Sequence, residues 1–314
     1  MDIFYIILIV ILSLALLVLL MSFICFRITF YVTKRQKKLS AEQLLPPDKI
    51  YVPYHEQMRT WQEIARKMNY EDVYITSYDG LTLHAKYYEG KVGAPLEIMF
   101  HGYRGTAERD MCGGIQRAFS LKRNVLLIDQ RTSGKSQGNV ITFGIKERYD
   151  CLYWAKYAEK RFPDVDIILT GISMGATTVL MATELDIPKN VKSVIADCGF
   201  SSPKAIIKKV VKQMHLPAFI FYPLIKFGAR LFGKFDLEEA SPEQALKNCK
   251  VPVIFAHGDA DDFVPCEMSR INYDACSADK KLIIIEGAGH GLCYLKEPEK
   301  YLQALDDFYN KINK

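Results

Sequence analysis

No two of the eight cysteines form a C-x-x-C pair, and none stands at metal-ligand spacing. That excludes zinc fingers, zinc ribbons and dithiol redox motifs. Seven of them, at 112, 151, 198, 249, 266, 276 and 293, lie beyond the N-terminal apolar run. An odd number with no framework reads as free thiols in a reducing compartment. No internal repeat is present. Gly134-Lys135-Ser136 has the end of a phosphate-binding loop, but Asp129 stands where that motif needs its first glycine. Lys135 is therefore expected in solvent. Strong charge is also missing from most of the chain. Residues 1–38 hold one acid and five bases, and the whole chain is +5, which leaves +1 for residues 39–314. That balance does not call for a nucleic-acid partner.

Residues 3–26 hold no charge at all, and only Ser13, Ser22 and Cys25 interrupt their apolar character. As a helix the run is about 36 Å long, enough to cross a hydrocarbon core with some tilt. A cleaved signal peptide has bases before a shorter run and small residues at its end. Here Asp2 precedes the run and bulky residues close it; Ile24 also argues against lipidation of Cys25. The expectation is a retained single-pass cell-membrane anchor over residues 1–26, then a basic juxtamembrane linker over 27–48. Arg27, Lys34, Arg35, Lys37 and Lys38 follow the span and place the rest of the chain in the cytoplasm. The same cluster suits an anionic lipid surface.

What remains is globular in composition, with 49% hydrophobic and 25% charged residues over the whole chain. Residues 54–70 carry a helical pattern through Met58, Trp61, Ile64, Ala65 and Met68, expected on the outside of the domain. Residues 73–77 and 81–88 alternate around Asp79-Gly80, as a hairpin does. Strands are then expected at 96–100, 124–129, 166–170, 191–196, 252–256 and 281–285. Helices are expected near 107–121, 144–161, 174–185, 266–277 and 297–312. Such alternation predicts one α/β domain over 49–314, a mostly parallel sheet covered on both faces. Residues 200–244 break the alternation and are too long for an ordinary connection. They are rich in apolar side chains such as Phe219, Phe221, Phe227 and Phe232, with scattered lysines. A helical lid over the site, lining an apolar pocket, is the expectation.

Gly171-Ile172-Ser173-Met174-Gly175 reads G-x-S-x-G between a β-branched strand and a helical pattern. That is the context of a nucleophile elbow, a strained turn that lifts a serine hydroxyl above the sheet. A tetrahedral intermediate needs two aimed N–H donors. One is expected from Met174, the other from Tyr103 in the loop His101-Gly102-Tyr103-Arg104-Gly105 after strand 96–100. His101 itself is expected to brace that loop. Asp261 and His290 follow the next strands in the order Ser, Asp, His. His290 is then the base and Asp261 its orienting acid. Asp197 also ends a strand and is the rival acid; a turn-capping role is expected for it instead.

These motifs, with His257-Gly258-x-x-Asp261-x-x-Val264-Pro265 and Gly289-His290, resemble the α/β-hydrolases of the serine aminopeptidase-like and Bem46-like group. Asp129-x-Arg131-x-x-Gly134-x-Ser136 is similar to that group's D-x-R-G-x-G-x-S loop, with Thr132 in place of the first glycine. The resemblance covers residues 70–314 and implies a cofactor-free, metal-free serine hydrolase. It leaves the substrate open: carboxylic ester first, in view of the apolar lid, with peptide, thioester and acyl transfer behind. A silent binding module on the same shell is the non-enzymatic alternative.

Overall fold

The computed structural model describes residues 3–312. Asp2, which enters the orientation argument, lies outside them. The chain opens with α1 (Ile3–Thr29), α2 (Lys34–Glu42), a 3-10 segment (Lys49–Tyr54) and α3 (His55–Lys67). The hairpin β1 (Glu71–Thr76) and β2 (Thr82–Tyr88) leads into β3 (Leu96–Phe100), α4 (Ala107–Asp110), α5 (Cys112–Ser120) and β4 (Asn124–Asp129). Next come α6 (Glu147–Arg161), β5 (Ile167–Ile172), α7 (Met174–Ala182) and β6 (Val191–Asp197). The insertion holds α8 (Pro203–Gln213), α9 (Ala218–Gly228), a π-helical turn (Ala229–Gly233) and α10 (Pro242–Ala245). The chain closes with β7 (Val253–Gly258), α11 (Glu267–Ala275), β8 (Lys280–Ile285), α12 (Cys293–Lys296) and α13 (Pro298–Ile312).

All eight strands form one sheet in the order β1-β2-β4-β3-β5-β6-β7-β8. Only the hairpin and its pairing with β4 are antiparallel. The sheet is buried on both faces, and alternate residues of each strand serve opposite cores. Leu96, Ile98, Leu169, Val194 and Phe255 meet Trp154 of α6 and Val179 of α7. Ile168, Ile195 and Ile254 meet Tyr301, Leu305 and Phe308 of α13. The direction in which strands are added to the sheet reverses at β3, because β4 lies on one side of β3 and β5 on the other. The crevice above such a reversal is where open α/β sheets bind ligands.

Several expectations need correction. The predicted helix over 107–121 is two, broken at Met111 (φ −101, ψ 9). The break lets the Asp110 carboxylate accept from the Gly102 N–H at 3.1 Å. Residues 27–48 are not a free linker. Thr33 caps α2 in a reciprocal capping box with Gln36, and Tyr31 bridges Val140 in a short antiparallel contact. Nor does α1 stop short of the domain: Phe26 and Phe30, at its C-terminal end and just past it, are buried in one cluster with Phe143, Phe200 and Phe235. The cause lies in the insertion. Its apolar side chains need a partner, and the end of α1 supplies one. At Gly228 an added Cβ would lie 2.4 Å from the Ser22 carbonyl oxygen, so glycine is what lets α9 close on α1.

Candidate active site

Strand β5 ends in a turn with no room for side chains on either flank. A Cβ at Gly171 would lie 2.2 Å from Gly175, and one at Gly175 would lie 2.0 Å from the Phe100 carbonyl oxygen. Ser173 between them holds φ 56, ψ −118, a conformation costly for any residue with a Cβ. Packing over-determines it. The Ser173 N–H donates to the Asp197 carbonyl at 2.8 Å, and its own carbonyl accepts from Thr177 at 3.0 Å. α7 then starts at Met174, so its first N–H groups have no carbonyl one turn back and point at the turn. That end of the helix favours negative charge.

The loop after β3 is braced from below. Gln130 N–H donates to His101 Nε2 at 3.2 Å, which makes that nitrogen the acceptor and Nδ1 the donor to the Gly102 carbonyl at 2.8 Å. Burial pushes the His101 pKa down, consistent with this neutral tautomer. Its imidazole is thus a brace, as expected. The loop is also held from the side by α1. Tyr103 donates its hydroxyl to the Thr29 carbonyl at 2.7 Å, and Arg104 donates to the Ile28 carbonyl at 2.8 Å. These are last-turn carbonyls of α1, which lack helical partners.

On the loops after β7 and β8, Asp261 Oδ2 lies 2.7 Å from His290 Nδ1. Its Oδ1 accepts from the Phe263 and Val264 N–H groups at 2.9 and 2.8 Å. His257 Nε2 stands 3.2 Å from Oδ2 on the other side. Burial disfavours the Asp261 charge, but the hydrogen bonds to His257 and His290 outweigh it and hold the carboxyl far below the usual carboxylate range. Asp197 does not reach His290 through a hydrogen bond. Burial pushes its carboxyl up, and its Oδ1 has no partner among the described residues.

Ser173, His290 and Tyr103 share one cavity of about 180 Å³. Its apolar wall includes Pro46, Pro47, Tyr51, Met58 and Phe263, with Arg109 and Asp110 as the charged part. No residue of 200–244 lines it, so the expectation of a lid lining the pocket is corrected. The wall comes instead from the strap ahead of α3 and from α3 itself, which were expected to be linker and outer surface. The Tyr51 hydroxyl donates to the His290 carbonyl at 2.8 Å.

Sequence reasoning also missed Cys198. Its sulfur lies 4.0 Å from His290 Nε2, fully buried. Cys198, Asp261 and His290 bring potential ligand atoms within 4.8 Å of one another. Asp261 already takes Nδ1 of that ring while Cys198 faces Nε2, so the three do not converge on one ion. Burial pushes the Cys198 thiol well up and keeps it neutral. Lone cysteines carry no spacing signal, so nothing in the sequence singled it out. Asp110, which braces Gly102, was invisible for the same reason.

The loop 129–136 is structural. Arg131 makes a two-point contact with Asp150 at 2.6 and 2.7 Å, and Thr132 holds φ 76 where the resembled motif has glycine. Lys135 is half-exposed and pairs with Asp72 at 2.7 Å.

An α/β-hydrolase family model matches residues 98–222. Protein YqkD of Bacillus subtilis, itself uncharacterised, is 27% identical over 192 residues, 60% of this chain and 63% of its own length. Protein bem46 of Schizosaccharomyces pombe is 25% identical over 255 residues, 78% of this chain and 79% of its own. Among solved structures, the esterase Pf2001 of Pyrococcus furiosus superposes with a TM-score of 0.63 at 23% identity, over 79% of this chain and 93% of that one. The chain has the α/β-hydrolase fold, and within that fold it is similar to bem46 and YqkD.

Proposed function

We propose that this protein is a membrane-tethered serine hydrolase that cleaves a carboxylic ester with an apolar acyl or alcohol part. Ser173 Oγ attacks the ester carbonyl as His290 Nε2 takes its proton. The Met174 and Tyr103 N–H groups receive the oxyanion. The intermediate collapses, and the alcohol leaves with the proton from His290. Water then attacks the acyl-serine with His290 as base, and the acid departs. Asp261 holds the tautomer that keeps Nε2 free for the proton and stabilises the imidazolium. The Arg104 and Tyr103 bonds to α1 keep the oxyanion loop in place.

The observation that supports this most is a serine at positive φ, facing a helix N-terminus, in one cavity with a histidine held by a buried carboxylate. Pf2001, which shares the fold, is an esterase, and that supports an ester as the substrate class proposed for this chain. The apolar helix α1 is long enough to cross a membrane, and the cations after it favour a cytoplasmic hydrolase. Labelling with a fluorophosphonate tests the reaction: the wild type should be modified at Ser173, and Ser173→Ala should neither label nor hydrolyse p-nitrophenyl esters. A variant that keeps a tenth of wild-type activity removes Ser173 as nucleophile. Protease added to intact cells should leave the hydrolase whole, and its digestion without lysis reverses the orientation.

A further inference from the structure

Helix α9, Ala218–Gly228, is apolar on every side except for Lys226. Helices of that kind are normally enclosed by protein or by lipid. Here one side is enclosed by protein: Tyr222 and Ile225 pack into the cluster that also holds Phe26 and Phe30. The opposite side is not. Phe219, Pro223, Phe227 and Leu231 follow one another at four-residue spacing, which puts them on one stripe of α9 and its π-helical continuation. Phe219 is 80% exposed, and Phe227 and Leu231 are each 46% exposed. An apolar stripe of this size is not neutral toward water.

The place where α9 meets α1 decides what covers it. A hydrocarbon core takes roughly 20 helical residues, so a span beginning at Ile3 reaches the membrane surface near Ser22. That is the residue against which Gly228 packs. Past it, Phe232 meets Phe23 edge to face and packs at a tilt on Phe26, and Phe235 meets Phe30 edge to face, which carries the chain into the hydrolase. α9 thus joins α1 at the level where the bilayer ends, and its bare stripe continues the exposed apolar surface of α1. Lys226 and Arg230 border the stripe and are held by acids of the insertion, Lys226 by Glu238 at 2.9 Å and Arg230 by Asp236, so the stripe itself carries no unpaired charge.

We propose that the outer stripe of α9 lies in the surface of the bilayer, so that the hydrolase is held on lipid by α1 and α9 together. The proposal rests on the reading of α1 as a retained span. The insertion is then a membrane foot and not a lid, in accord with its absence from the cavity wall.

The test uses the full chain in phosphatidylcholine vesicles, with Phe219→Trp and Leu12→Trp made separately. Each is a conservative change at an exposed site, and the wild-type emission of Trp61 and Trp154 is subtracted. Brominated lipid should quench both added tryptophans. Position 219 should lose more emission to bromines near the headgroup end of the acyl chain, and position 12 to bromines near its far end. Quenching at 12 without quenching at 219 overturns the proposal and leaves the anchor standing. A shielded but unquenched tryptophan at 219, as a second protein on the stripe would give, overturns it as well. Quenching at neither position overturns both, and quenching at 219 alone removes the span and with it the joint anchor proposed here.

Discussion

At the scale of single residues, two carboxylates end neighbouring stretches of chain and only one can serve His290. Asp261 has both oxygens engaged, one by His290 and one by two backbone N–H groups. Asp197 instead has a buried oxygen with no partner among the described residues. Removal of the orienting acid while its shape is kept leaves the histidine tautomer mis-set, which in the serine-protease example of the same chemistry cost about 10⁴ in kcat. Asp261→Asn should therefore lose at least about 10²-fold in kcat, near 2.7 kcal/mol, and Asp197→Asn much less. Measurement of both folded variants with one ester decides it, and the reverse order moves the acid to Asp197. The pKa of Asp261 sets a second expectation. Its folded value lies below the unfolded one, so its contribution to stability is complete above the ordinary carboxylate pKa of roughly 4 and fades as pH falls through the folded value. The melting-temperature gap between wild type and Asp261→Asn should be flat from neutral pH down to that region and narrow only below it. A gap that already closes near pH 6 would contradict the depressed pKa. Ser173, Asp261 and His290 were legible because each stands at a strand end inside a spaced motif. Cys198 and Asp110 were not, since their importance lies in contacts across the fold.

Elements were easier to read than their uses. The strands came out within about two residues, because β-branched runs between turn residues admit few alternatives. The insertion was also legible as helical. Its placement was not, because an apolar stretch says that it must be covered without saying by what. The strap showed the opposite difficulty: Pro46-Pro47 and polar neighbours look like a linker, yet Pro46, Pro47 and Tyr51 enclose the cavity. Acyl preference should thus belong to the strap and α3. Met58→Ala enlarges the cavity wall and should shift relative kcat/KM along a series of p-nitrophenyl esters, at about 1–3 kcal/mol per methylene accommodated. Phe221→Ala, which lies in the insertion and off the cavity, should leave that profile in place. If the two outcomes are exchanged, the insertion recovers its role as lid. The oxyanion loop offers a separate check. Tyr103→Phe keeps the N–H but deletes the hydroxyl bond to Thr29, so it should cost about 1 kcal/mol of stability with only a small change in KM. A large loss of stability would mean that this one bond holds the loop.

For the whole molecule, the sequence divides cleanly into anchor, linker and enzyme, and the structure does not. Residues up to about Leu20 are exposed along all of α1, as suits a helix surrounded by lipid. From Ser22 onward one face of the helix and the residue just past it join the protein interior: Phe26 is 4% exposed and Phe30 is fully buried. A cut in the first region removes only surface that protein does not cover. A cut beyond Phe30 opens the cluster that joins the insertion to Met174 and Phe143, and it also takes away the carbonyls that hold Tyr103 and Arg104. Removal of residues 1–20 should therefore leave a hydrolase that melts near the full-length protein in detergent and keeps its kcat on a soluble ester. Removal of residues 1–31 should give a protein that melts far lower and turns over slowly if it folds at all. Because a deletion that long can fail for trivial reasons, Phe30→Ala in the full chain carries the same argument. Truncation of a fully buried phenylalanine costs about 3–5 kcal/mol, and here the cavity it leaves adjoins Phe143, which packs on the oxyanion-loop residue Tyr103. Thermal melts and ester turnover of Phe30→Ala beside Leu12→Ala, a change on the exposed part of α1 expected to be silent in both, compare the exposed and the packed parts of the N-terminal segment. Equal effects at positions 12 and 30 would return α1 to the role of a simple tether.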